Sequence, residues 1–342
     1  MSRPAFARKQ LTLEKLEDRV LMAGNVVAVQ TGGTLTLRGD HAANSASIVY
    51  DNASRTHRVV GHDLGGSPTT VNGGAAAAQF AGVKNVRAWL GGGDDKLDFG
   101  AADQLYAKLD KKLSIDMGDG NDTLELGRAG NGAGGAAPIA SRLYVNKGIW
   151  VHLGAGNDQL KVANLKTNKS LIVLGGDGND AIQFATEFTA AGATQPTYFP
   201  VNIKGNLHLH LGAGDDTLSL LHALVGDHLK VHDPAGTSNI TIVDVAINEN
   251  LTIHTAGGSD QVTLDYVGAD QLAIRTGDGA DDVEIEHGRF KRLSVKTEGA
   301  GDDLKIRTTR SSQYAYLDGG QGNNDLSHGG NKLRGLVNRR FG

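Results

Sequence analysis

The chain has no cysteine. That excludes a disulfide framework and any thiolate metal centre, while leaving the compartment open. Proline is scarce, with 6 residues, and aromatic residues make up only 5% of the 342, too few to fill a thick globular core. The formal net charge of −4 lacks the basic excess of a nucleic-acid-binding chain, so no nucleic-acid partner is expected. No apolar run approaches the roughly 18 residues of a membrane-spanning helix, so the chain is not expected to be transmembrane. No Ser-His-Asp, HExxH or phosphate-loop motif is present.

What is abundant is glycine, with 48 residues, and it falls in a pattern. The stretches "LGGGDDKL" (90–97), "MGDGNDTL" (117–124), "LGAGNDQL" (153–160), "GGDGNDAI" (175–182) and "LGAGDDTL" (211–218) are near copies of one another. Looser copies follow at 256–262, 276–283, 298–304 and 319–326. The aliphatic residues that close them, among them Leu160, Ile182, Leu218, Ile240, Val262, Val283, Leu304 and Leu326, give a period of 21–22, lengthened where residues are inserted. A second column keeps the same steps: alternating strands start at Leu113, Ile149, Leu207, Leu229, Leu251, Leu272 and Leu293. Period-two alternation marks a half-buried strand. Two columns sharing one irregular set of steps predict an all-β chain, a parallel β-helix or β-solenoid of about ten coils. At about 4.8 Å per coil the rod would be on the order of 45–50 Å long, with Leu207, Leu209 and Leu211 inside. Glycine supplies the φ > 0 that tight corners need.

The organisation reads as an N-terminal segment, 1–24, holding at most a short helix, then degenerate entry coils and a loop, 25–82. The repeat array occupies 83–330 and a basic tail 331–342. The opposite corners, such as "LVGD" (224–227) and "INEN" (247–250), lack the glycine pattern.

Two resemblances bear on function. The corner "GGDGNDAIQF" (175–184) resembles the G-G-x-G-x-D-x-U-x repeat of RTX-type β-rolls. The resemblance implies calcium at one edge of the solenoid, with Asp95, Asp122, Asp158, Asp180, Asp216, Asp260 and Asp281 as candidate ligands. The column is expected to break at Asn239. The other reading of the same residues is a metal-free corner closed by Asp and Asn hydrogen bonds. "LTLEKLEDRVLMAG" (11–24) resembles the L-E-x-L-E-x-R-x-L-L motif of exported planctomycete proteins, through Leu13, Glu14, Leu16, Glu17, Arg19 and Leu21. It implies a secreted, envelope or surface location.

Two further constellations stand out. His210, His232 and His254 share one outward position, continued by Arg275 and Lys296 and, upstream, by Asp116 and His152; it reads as a solvated face or, less simply, a transition-metal column. Two insertions, 127–141 and 185–200, flank the coil that carries Trp150 and His152. With Tyr144, Tyr198 and Phe199 these residues predict a groove for a glycan. The expected function is therefore an exported structural or adhesive repeat protein, partnered by a surface or matrix polysaccharide or protein. A glycan-binding or glycan-cleaving β-helix is the alternative; even spreading of the carboxylates, one corner at a time, argues against an active site.

Overall fold

The computed structural model describes residues 24–64, 67–74, 77–101, 106–127, 129–130, 139–140, 142–185, 187–188 and 197–341. The N-terminal export-type segment lies outside them apart from Gly24. Among the described residues all regular structure is strand, and no helix is long and apolar enough to cross a membrane.

The strands wind into a parallel β-solenoid, as the repeat predicts. Each coil has three faces. In the coil that starts at Leu207, the first face is Leu207–Ala213, and the strand Thr217–Val225 supplies the other two, with a bend at His222. Residues 207, 209 and 211 on the first face, 218 and 220 on the second, and 223 and 225 on the third all point inward and are at most 2% exposed. The same positions repeat in register. Leu171 pairs with Leu207 and Leu207 with Leu229; Leu218 pairs with Ile240 and Ile240 with Val262. The interior is thus a set of aliphatic ladders, each rung about 4.8 Å from the next. That geometry fits the shortage of aromatics: most positions of the narrow section take one Leu, Ile or Val, with Phe99 and Phe184 as wider rungs of the second face.

The entry region is more ordered than a loop. Thr34–Arg38 pairs in parallel with Asn85–Gly92, and Ser45–Asp51 with Lys96–Ala101, so 34–51 is already a rung. Asn25–Thr31 and Thr56–Gly61 run antiparallel to these strands, and Ala78–Ala81 runs antiparallel to Thr56–Gly61. The loop expected within 25–82 contains paired strands at Thr70–Val71 and Ala78–Ala81, which join the entry strands. At the other end, the basic tail covers the coil before it: Lys332–Leu333 and Leu336–Arg339 lie in parallel on Arg310–Asp318 as the last, mostly exposed strands.

Candidate functional site

The glycine corner joins the first and second faces. Gly176 and Gly178 have φ of +133° and +120°, a region that side chains avoid. Each also sits on the glycine of the preceding coil. A Cβ at Gly176 would lie 1.7 Å from the carbonyl oxygen of Gly154, and one at Gly178 would lie 2.0 Å from that of Gly156. The glycines are needed twice over, for conformation and for stacking distance.

The residues that follow form two hydrogen-bond ladders with opposite directions. In the outer one, each backbone N–H bonds back to the side chain of the preceding coil. Asn121 N donates to Asp94 Oδ1 (2.8 Å), Asn157 N to Asn121 Oδ1 (2.8 Å), Asn179 N to Asn157 Oδ1 (2.7 Å) and Asp215 N to Asn179 Oδ1 (2.8 Å). In the inner one, each N–H donates forward. Asp95 N reaches Asp122 Oδ1, Asp122 N reaches Asp158 Oδ1, Asp158 N reaches Asp180 Oδ1 and Asp180 N reaches Asp216 Oδ1, at 2.7–2.9 Å. The ladder resumes with Ser238 N to Asp260 Oδ1, Asp260 N to Asp281 Oδ1 and Asp281 N to Asp302 Oδ1. A tight corner interrupts the strand ladder and would leave these amides unpaired; the Asn-Asp pair replaces the missing acceptors.

All seven predicted aspartates therefore fall in one column, and Asp302 belongs with them. The inferred break is corrected by one residue. Asn239 pairs with Thr217 and Gln261 on the second face, and the residue in the aspartate column is Ser238, whose Oγ donates to Asp233 Oδ2.

The column points inward. Asp95, Asp122, Asp158, Asp180, Asp216, Asp260, Asp281 and Asp302 are each 2% exposed; in the first five the Oδ2 is enclosed without a hydrogen-bond partner, while Asp260, Asp281 and Asp302 lie beside the buried hydroxyls of Thr255, Thr276 and Thr297. Burial is the largest cause that pushes Asp95, Asp122 and Asp180 up to about 7 and Asp216 and Asp281 up to about 6, against the lowering effect of the amide bond each accepts and, at Asp281, first of the Thr276 hydroxyl. The two ends of the column show what the second oxygen's place requires. Asn44 and Asn324 occupy it there. Asn324 Nδ2 donates to the carbonyls of Gly319 (2.6 Å) and Arg340 (3.0 Å), and Asn44 Nδ2 donates to that of Ala42 (2.6 Å). One acceptor and one donor is what a neutral carboxylic acid presents.

Calcium takes six to eight oxygens, and these side chains offer it little. One carboxylate oxygen per rung is committed to an amide and the other is shut inside. Among the described residues the column forms no cluster of three converging ligand atoms. In this arrangement the residues form a hydrogen-bonded ladder that holds the corner amides without an ion.

The histidine column is confirmed in register, His210 opposite His232 and His232 opposite His254. The rings pack at 5.4 and 5.3 Å, edge-on and then stacked. Burial is the largest cause lowering the pKa of His210 and His254. Leu174 interrupts the column between His152 and His210, and the rings do not converge on a common point.

The expected glycan groove does not come together from its five residues. Trp150 and His152 lie beside each other on the first face, ring centres 5.9 Å apart, with His152 Nδ1 3.3 Å from Asp116 Oδ1. Tyr144 is on the third face, its hydroxyl in contact with Asn146 and Asn168. Phe199 is buried at 5% exposure and so lines no open surface, and the side chain of Tyr198 lies outside those described. The insertions do share a corner. Each begins with a hairpin stem, Ala129–Gly130 with Ile139–Ala140 and Glu187–Phe188 with Thr197–Tyr198.

That corner, between the second and third faces, was not legible in the sequence. It is turned by one left-handed residue per coil: Gly127, Asn164, Ala185, His222, Asp244, Tyr266, His287 and Thr308, with φ between +46° and +71°. Downstream of the second insertion it holds the most reactive-looking surface of the rod. His222 Nδ1 meets Asp244 Oδ2 at 2.7 Å, and His287 Nδ1 meets Asp265 Oδ1 at 2.8 Å. Tyr266 stacks on His287, ring centres 4.3 Å apart and planes 10° from parallel. A cleft of about 570 Å³ runs along these residues from Pro200 to Arg310. Only the steps of 22, 22, 21 and 21 from His222 to Thr308 could have marked them.

No family model, curated protein or solved structure matches the chain.

Proposed function

We propose that this chain is an exported structural or adhesive rod of the cell envelope or surface, held together along one edge by paired side-chain ladders. The observation that carries this reading is the even distribution of its polar chemistry. The inner Asp bond recurs from Asp95 to Asp302 with one break, and the outer Asn or Asp bond accompanies it from Asp94 to Thr237, as a strut would, and the carboxylates do not gather on one or two coils as a catalytic pair would. The Leu13–Leu21 motif supports export. Cell fractionation of the full chain beside a Glu14→Lys, Glu17→Lys, Arg19→Glu variant tests it. Surface or medium recovery of the parent and cytoplasmic retention of the variant is the expected result; a cytoplasmic parent overturns the reading. Calcium enters as a test of the edge: the self-contained ladder predicts no calcium-dependent gain in melting temperature.

A further inference from the structure

The left-handed corner carries a second feature that the rod itself does not need. Arg289 pairs in register with Arg310, and Arg310 with Lys332, so three exposed cations stand one above another at about the coil spacing. Like charges directly opposite one another on a sheet are destabilising. The neighbouring cations are compensated. Lys291 lies 2.7 Å from Asp270, Arg307 bridges Glu284 and Glu286, Lys305 bridges Asp282 and Asp303, and Arg275 holds Glu298. Among the described residues no carboxylate pairs with Arg289, Arg310 or Lys332. The repulsion along this column is left for something outside the chain to relieve.

Beside the cations the cleft changes character. Tyr266 is 59% exposed and is held flat by His287, while Asp244 and His222 close the far end as a hydrogen-bonded pair. An exposed aromatic face with polar groups around it is suited to a ring that is apolar on its faces and hydroxylated at its rim. The carboxylate of Asp244 accepts hydroxyl hydrogen bonds but repels an anion. The surface therefore asks for an extended ligand with hydroxyls at one end and negative charge at the other. A nucleic acid would bring a phosphate at every unit, including opposite Asp244, and the cleft offers one exposed aromatic where several would be needed to stack successive bases.

We infer that this corner binds a strand of acidic polysaccharide, with a sugar ring on Tyr266, hydroxyls at Asp244 and His222, and carboxylate groups on the Arg289–Arg310–Lys332 column. The inference stands on the surface of the rod and is independent of whether the chain is exported.

The test uses the full chain and polygalacturonate in the presence of a chelator, with neutral dextran and single-stranded DNA as comparison polymers, followed by calorimetry. Arg289→Gln with Arg310→Gln should weaken polygalacturonate binding about tenfold or more, and Tyr266→Gly should weaken it comparably. Tyr266→Gly is chosen because glycine suits the φ of +51° at that corner, so its melting temperature should hold or rise while binding falls. Failure of polygalacturonate to bind, or affinity unaltered in both variants, overturns the inference. Equal binding of dextran overturns the role of charge. DNA bound as tightly as polygalacturonate, with Tyr266→Gly without effect on either, shows a mere polyanion surface and overturns it as well.

Discussion

At the scale of single residues, the corner aspartates decide how the edge of the rod responds to pH. Their folded-state pKa values lie above the ordinary value of 3.8, at about 7 for Asp95, Asp122 and Asp180. A group whose pKa is raised on folding binds more protons in the native state. Its contribution is complete below the unfolded value and is lost as pH rises through the folded one. The melting temperature should therefore be higher at pH 5 than at pH 8, the reverse of a fold held by salt-bridged carboxylates; a rise between those values would contradict neutral aspartates. The glycines are as exacting. Gly178→Ala places a Cβ against the Gly156 carbonyl and adds strain at φ +120°, so a loss of at least about 2 kcal/mol is expected by chemical denaturation. The sequence disclosed that glycine and aspartate recur here, but the same spacing serves a side chain turned out to an ion or in to a neighbouring amide. Only the register of one coil on the next settles that direction.

At the scale of faces and corners, the first two faces were legible because their inward positions are apolar in most coils, as at Leu207 and Leu209 or Leu218 and Leu220, and flank a corner with its own signature. Leu209 is fully buried in the first-face ladder. Leu209→Asp should unfold the chain or lower its melting temperature steeply, since an unpaired buried carboxylate costs several kcal/mol; a normal melt would contradict the assignment of the face. The third face was hidden because the corner before it has no residue preference. Asn164, Ala185, His222, Asp244, Tyr266, His287 and Thr308 share a conformation and no chemistry. The coils above and below impose φ > 0 there, and the residues bear the strain. Thr308 is the sharpest case, a β-branched residue at φ +51°. Thr308→Gly should stabilise by about 1 kcal/mol in denaturant unfolding; a loss would mean that the threonine side chain makes up for its backbone.

At the scale of the whole molecule, the rod is one continuous ladder from Thr34 to Arg339, closed at its start by antiparallel strands and at its end by the mostly exposed strands Asp325–Gly329, Lys332–Leu333 and Leu336–Arg339. Each coil contacts only its neighbours, so the two ends are where an open strand edge would invite another chain. Ending the chain at Gly330 should uncover Tyr314–Asp318, lower the melting temperature and give concentration-dependent association in sedimentation; an unchanged monomer would show that the basic tail is no cover. The corners are tied coil to coil by the inner ladder, joined from Asp94 to Thr237 by the outer one, and Asp180 lies within both spans, donating to Asp216 and accepting from Asp158. Asparagine already fills the same place at Asn324, accepting from Asp302 N and donating to the Gly319 carbonyl, where the carboxylate of Asp180 has one satisfied oxygen and one enclosed. The most direct measurement is the thermal melt of Asp180→Asn beside the parent at pH 7.5, each with chelator and with millimolar calcium. A metal-free ladder predicts that the variant melts at or above the parent temperature and that calcium moves neither. A parent raised by calcium, with that gain lost in Asp180→Asn, would contradict it.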